Sequence, residues 1–242
     1  MKKTVLAMLA VCMMLGLCAC GSSSKKLVMA TNAAFPPYEY VEGNEIIGID
    51  AEIAKLIADD IGRELIIEDM AFDSIIAAVQ TGKADIAMAG LTITEDRKQN
   101  INFSDPYTEA AQVIIVKNGS PVQTPDDLKG MVIGVQIGTT GDIYAEDIEG
   151  ATIERYSKYF EAINALTQDK IDAVIVDREP AKVFVSENAD LKLIDEEFTL
   201  EEYAIGVAKE NTELLDQINA SLKKLQDSGK IDEIINKYIS AE

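Results

Sequence analysis

Gln80-Thr81-Gly82-Lys83-Ala84-Asp85-Ile86-Ala87-Met88-Ala89-Gly90 and Thr167-Gln168-Asp169-Lys170-Ile171-Asp172-Ala173-Val174-Ile175-Val176-Asp177 share one reading: a helix end, Lys-x-Asp, then a short apolar strand. The same order of elements precedes each. Before the first, 27–30 reads as a strand and 50–61 as a helix with Ile53, Leu56, Ile57 and Ile61 on one face. Then come a strand over 65–67 and a helix carrying Ile75, Ile76 and Val79, capped by Asp73 and closed by Gly82. Before the second lie a strand over 132–135, a short helix over 141–147, a strand over 153–156 and a helix over 159–167. A β-α-β-α-β order implies a doubly wound parallel sheet. Its recurrence at low identity is a repeat of architecture, and it implies two similar α/β lobes rather than one long sheet. Apolar runs over 110–117 and 203–208 read as strands that link the units. Helices over 211–227 and 230–239, parted by Gly229, have no strand of their own to cover and are expected to return to the first lobe. Two chain crossings then form a hinge. The expected division is 27–110 plus 205–242 for the first lobe and 111–204 for the second.

The 242 residues are 48% hydrophobic and 26% charged, enough to pack a core in each lobe. Lys and Arg number 22 against 42 Asp and Glu, a formal charge of −20. A phosphate backbone wants a cationic face, so nucleic acid is excluded as a partner. There is no histidine, which excludes Ser-His-Asp and Cys-His catalysis and every His-ligated metal site. All three cysteines, Cys12, Cys18 and Cys20, fall in the first twenty residues. There, Lys2 and Lys3 precede an apolar run from Val5 to Ala19, as in a secretory signal. The run is shorter than the about 20 residues of a permanent span. It ends in Leu17-Cys18-Ala19-Cys20, then Gly21-Ser22-Ser23-Ser24, an order that resembles a bacterial lipobox. The expectation is a signal peptide over 1–19, lipid on Cys20 and a flexible tether to 26. The lipid, not charge, would hold so acidic a protein at a membrane.

Ligands of parallel α/β sheets bind beyond the carboxyl ends of the strands. Those positions are 32–38, 70–73 and 89–97 in the first lobe, and 136–141 and 177 in the second. They offer one cation (Arg97), one anion (Asp177), the hydroxyls of Thr92, Thr139 and Thr140, backbone at glycines, and the rings of Phe35 and Phe72. This is a complement for a zwitterion: Arg grips a carboxylate, Asp accepts from an ammonium, and N–H groups at a helix start favour anions. Plainer roles exist for each. Thr92-Ile93-Thr94-Glu95 fits a capping box, Arg97 could pair with Asp96 or Glu95, Asp177 could cap the next helix, and the rings could be core. Gly138-Thr139-Thr140-Gly141 lacks the Gly-Lys-Ser/Thr ending of a phosphate loop.

Several stretches resemble the bacterial solute-binding proteins of ABC importers for polar amino acids. They are Ala30-Thr31-Asn32-Ala33-Ala34-Phe35-Pro36-Pro37-Tyr38-Glu39-Tyr40, Gly48-Ile49-Asp50, Gly90-Leu91-Thr92-Ile93-Thr94-Glu95-Asp96-Arg97, Phe103-Ser104-Asp105-Pro106-Tyr107 and Asp126-Asp127-Leu128-Lys129-Gly130. The resemblance spans 27–238. It implies the two-lobed periplasmic-binding-protein fold of type II. It also implies that Arg97, with backbone N–H groups of Thr92 and Thr140, binds a substrate α-carboxylate. Asp177 would bind the α-ammonium with the Gly90 carbonyl and the Thr92 hydroxyl, and Phe35 and Phe72 would sandwich the side chain. Members that bind cationic or glutamine-like side chains commonly carry Asp at the position of Asn32, and some glutamine binders carry Lys at that of Gln136; both differences remove charge from the side-chain end and weigh against lysine or arginine.

The expected protein is a non-catalytic, monomeric lipoprotein without cofactor or metal, delivering an amino acid to an ABC permease and its ATPase. It would touch the membrane through its lipid alone, on the outer face of the cell membrane. An amino-acid sensor or surface-interaction lipoprotein is the alternative, and an enzyme on this fold a more distant one. For the side chain, Asn32, Phe35, Phe72, Ala89 and Gln136 form the selective end. Two amides suit a neutral, glutamine-like head, and small Ala89 leaves room for length. A basic amino acid is second, with Glu39 supplying charge if it points inward.

Overall fold

The computed structural model describes residues 26–194, 196 and 199–239. The leader with Cys20 lies outside them. The first part of the chain runs β1 (Lys26–Thr31), β2 (Ala34–Phe35), β3 (Glu39–Glu42), β4 (Glu45–Ile47), α1 (Ile49–Asp60) and β5 (Glu64–Asp69). A 3-10 turn (Phe72–Ser74), α2 (Ile75–Gln80), β6 (Ile86–Ala87), α3 (Glu95–Asn100) and β7 (Ile101–Phe103) follow. Next come β8 (Thr108–Lys117), a 3-10 turn (Pro125–Leu128), β9 (Val132–Gln136), α4 (Thr140–Glu146), β10 (Thr152–Tyr156) and α5 (Tyr159–Thr167). The chain continues through β11 (Ala173–Asp177), α6 (Arg178–Glu187), β12 (Leu191–Ile194), β13 (Leu200–Tyr203), β14 (Gly206–Ala208), α7 (Thr212–Asp227) and α8 (Lys230–Tyr238).

One sheet has the order β5-β1-β6-β14-β7, with β1 parallel to β5 and β6 and β14 antiparallel to both its neighbours. A second has the order β10-β9-β11-β8-β12, in which β9 is parallel to β10 and β11 and β8 runs against them, and β2-β3-β4 form a small third sheet. The repeated Lys-x-Asp performs one task in both. Asp85 takes the Val28 N–H on its carboxylate and gives its own N–H to the Val28 carbonyl, each at 2.8 Å. Asp172 does the same with Val132, again at 2.8 Å twice. Each pair ties the end of a crossover to the first strand of its sheet.

β8 is one of two crossings. Its first four residues, Thr108 to Ala111, pair antiparallel with Tyr203 to Leu200 of β13, while Gln112 to Val116 pair with β11. The stretch expected as one strand over 203–208 is two: β13 belongs to the crossing ladder and β14 to the first sheet, and the chain changes sheets at Ala204 and Ile205. α7 and α8 pack on α1, where Ile53 and Ile57 meet Ile218, Leu222, Ile231 and Ile234 in one cluster. Each such buried side chain contributes about 1.5–3 kcal/mol.

Two expected caps are not made. Asp73 sits exposed in the 3-10 turn with no capping bond, since the helix starts later, at Ile75. Thr94, not Thr92, caps α3, accepting the Arg97 N–H at 3.1 Å. The capping pattern is read two residues early because Thr-Ile-Thr offers two hydroxyls. Gly48 is obligatory before α1: its φ is +125°, and a Cβ there would lie 2.2 Å from the Tyr38 carbonyl oxygen.

Candidate functional site

The lobes are closed on each other. Phe35 of the first stacks on Tyr159 of the second with ring centroids 5.7 Å apart, and Tyr38 meets Tyr203 edge-on at 5.0 Å. Between the lobes lies a narrow, nearly closed cavity. From the first lobe it is lined by Asn32, Phe35, Phe72, Ala89, Gly90, Thr92 and Arg97; from the second, by Gln136, Thr140 and Asp177. Every ligand residue expected from the sequence is therefore in this lining, and Glu39 and Thr139 complete it.

Arg97 enters from α3, 7% exposed, so it is not a surface cation. Its Nη1 donates to the Thr92 carbonyl at 2.8 Å, and its Nη2 crosses the cleft to the Gly138 carbonyl at 3.1 Å. A guanidinium has five donors, so others remain for a ligand carboxylate. The Phe72 ring lies 5.5 Å from its Cζ, so this ring supports the cation as well as lining the cavity. Asp177 ends β11 at the N-cap position of α6 but makes no capping bond. Its Oδ1 accepts from the Tyr203 hydroxyl instead. Burial first, then the Glu201 charge, pushes its carboxyl up to about 7. Gly90 has φ +52°, and its N–H donates to Asp50 Oδ2 at 2.9 Å; a Cβ would meet Phe35 at 2.8 Å. Thr139 caps α4 by accepting the Asp142 N–H at 3.3 Å, which places Thr140 in its first turn.

At the side-chain end, Asn32 and Gln136 are bonded to each other. Gln136 Nε2 donates across the cleft to Asn32 Oδ1 and to the Ser157 carbonyl, both at 2.9 Å, while Asn32 Nδ2 donates to the Met70 carbonyl at 2.7 Å. These bonds spend both Gln136 Nε2 protons and one Asn32 Nδ2 proton, so the amides offer a neutral head fewer donors than two free amides would. Glu39 also lines the cavity, is 1% exposed, accepts no hydrogen bond from an N–H or hydroxyl of the described residues, and pairs with the carboxyl of Asp50. Burial, then the charge of Asp50, pushes its carboxyl well above the usual range. Asp50 is fully buried, accepts from Gly90 N–H and from the Tyr107 hydroxyl at 2.8 Å, and is pushed up to about 6 by burial.

Asp50, Tyr107, Gln112, Glu201 and Tyr203 were not selected from the sequence. Asp50 reads as an ordinary first-turn acid. Glu201 carries a usable signal: on a strand it shares a face with Tyr203, and both are buried while Leu200 and Glu202 are exposed.

The profile of the bacterial extracellular solute-binding proteins, family 3, matches residues 27–241. The chain belongs to this family. It is a family of solute-binding transport proteins, not of enzymes. This family-3 protein is 33% identical, over an alignment of 254 residues covering all of both chains, to the arginine-binding extracellular protein ArtP of Bacillus subtilis (strain 168). It is 36% identical over 203 residues to the ABC transporter glutamine-binding protein GlnH of the same organism, covering 82% of this chain and 74% of that one. An ancestral arginine-binding protein solved with arginine matches it with TM-score 0.86 and 38% identity, covering 90% of the family-3 protein and all of the other chain. The two-lobed α/β architecture expected from the repeat is the fold of such binding proteins.

Proposed function

We propose that this family-3 protein captures a cationic L-amino acid, arginine foremost, between its lobes and hands it to the permease and ATPase of an ABC importer. The observation that carries this reading is Glu39, a buried carboxyl in the cavity wall that accepts from no N–H or hydroxyl of the described residues and faces a second acid, Asp50. A buried acid facing another is costly, and a guanidinium with several donors relieves that cost. Around the cavity, Glu39, Asp50, Asp177 and Glu201 are buried and Arg97 is the buried cation among them. Arginine would bring two cationic groups and one anionic group, which moves this balance toward neutrality; glutamine would leave it unchanged. The ArtP and ancestral arginine-binding relatives support the same choice. Arg97, with Thr92 and Thr140, would take the α-carboxylate; Asp177, Gly90 and Thr92 the α-ammonium. Asn32, Phe35, Phe72, Ala89 and Gln136 would surround the stem, with Glu39 at its head. The protein acts as a monomer and turns nothing over. Thermal melting with each of the twenty L-amino acids tests the reading: arginine gives the largest rise, lysine or histidine a smaller one. The largest rise with an acidic or aliphatic amino acid would refute it.

The same acids predict a pH dependence. A ligand ammonium favours ionised Asp177, so binding releases a proton below about pH 7. Affinity then rises with pH through about 7, and Glu39, also raised and ionised by a guanidinium in this reading, extends the rise above it. The unfolded chain ionises Asp177 near 3.8, whereas the folded chain holds its proton to about 7. Its contribution to stability is thus present at low pH and lost as pH rises between those values. Asp50 and Glu39, also raised, add in the same direction. Calorimetric titrations from pH 5 to 8 check the affinity, and the melting rise with ligand should be larger at pH 8 than at pH 5. An affinity that falls as pH rises would contradict the Asp177 role.

Lipid on Cys20 would keep the protein at the outer face of the membrane. Cys20→Ser is expected to release a folded protein that incorporates no fatty acid and binds arginine as before. Retention of the variant in washed membranes would rule out the anchor.

A further inference from the structure

The proposed ammonium end is buttressed from behind by one face of β13. Tyr203 donates to Asp177 Oδ1, as described above. Glu201, two residues earlier and 6% exposed, accepts the Thr92 hydroxyl proton on Oε2 at 2.9 Å. The same oxygen accepts from Gln112 Nε2 at 3.3 Å, and that nitrogen also lies 3.3 Å from Thr140 Oγ1. Glu201 Oε1 is buried, and the Tyr144 hydroxyl lies against the same carboxyl. The backbone holds this arrangement in register: Thr92 bridges to Tyr203, and the Ile93 N–H donates to the Glu202 carbonyl at 3.0 Å.

We infer that Glu201 is a positioning residue for the ligand α-ammonium, acting from the hinge through Thr92. The inference rests on the amino-acid-binding reading above. A hydroxyl has one proton and two lone pairs. Glu201 takes the proton, so Thr92 Oγ1 can only accept from a group in the cavity. An ammonium donates and is welcomed; a carboxylate or an apolar group at that point meets a lone pair. Without Glu201 the hydroxyl is free to rotate and donate, and the site no longer distinguishes the two. Glu201 also adds negative charge behind Asp177, where it offsets part of the desolvation of Arg97. The acid lies on a crossing strand and joins Thr92 of the first lobe to Gln112 of β8.

The test compares L-arginine with 5-guanidinopentanoate, which keeps the guanidinium and carboxylate and lacks the ammonium. Calorimetry on the wild type should show L-arginine favoured by roughly 100-fold or more. In Glu201→Ala that preference should shrink about tenfold, with the deamino compound changed by no more than about twofold. Glu201→Gln, isosteric, is the second variant should the alanine melt early; it should shrink the preference in the same direction. In a Thr92→Val background, adding Glu201→Ala should change the preference little, because both act on one acceptor. A merely structural role would weaken both ligands alike. Equal weakening, or an unchanged preference in both Glu201 variants, overturns the assignment. Failure of L-arginine to bind the wild type overturns the ligand reading instead. In that case the best-binding amino acid and its deamino form make the same comparison, with the same outcomes.

Discussion

Arg97→Ala is expected to lower the affinity for L-arginine by about 2–5 kcal/mol, the range for truncating one partner of a buried charged pair. The effect is large because the residue serves three contacts. In the proposed complex it is the buried cation opposite the ligand carboxylate, and in the structure it donates to Thr92 in its own lobe and to Gly138 across the cleft. Its loss leaves a ligand carboxylate desolvated and removes one closing contact. Arg97→Lys keeps charge but loses the planar fork, so it should fall between wild type and alanine. Calorimetry at pH 7.5 measures both, and wild-type affinity in the alanine variant would refute the role.

Glu39→Gln should cost L-arginine about 2–5 kcal/mol as well, while leaving L-glutamine within about tenfold of its wild-type affinity. The isosteric amide keeps the volume and removes the charge that a guanidinium pairs with. It also removes a buried acid that faces a second acid, Asp50, and an amide can donate to that carboxyl, so the ligand-free variant should melt no lower than wild type at pH 7.5. This pairing of lost affinity with retained stability separates a recognition role from a packing one. Equal losses for arginine and glutamine would point to distortion of the lining.

The fold was legible because its signals are local and repeated. Lys-x-Asp followed by a buried strand occurs twice, and in both copies the Asp makes the same two-way bond to a first strand. The rule that ligands sit beyond strand ends then reached Arg97, Asp177 and their neighbours. What stayed hidden depends on partners distant in sequence. Asn32 and Gln136 lie 104 residues apart, and nothing local says that their amides satisfy each other. Thr92 and Glu201 are 109 apart, so a hydroxyl read as a cap is instead held by an acid at the hinge. Glu201 and Glu202 are identical in composition terms; only strand alternation, visible once β13 is placed, buries one and exposes the other.

The central claim is that the cavity reads a positive charge at the ligand's side-chain end. L-citrulline matches L-arginine in size and shape and replaces the guanidinium with a neutral urea. The direct measurement is therefore the ratio of their dissociation constants on the wild-type protein by calorimetry at pH 7.5. L-arginine is predicted to bind at least about tenfold tighter, from the charged hydrogen bonds to Glu39. Equal affinities, or tighter binding of citrulline, would contradict the claim.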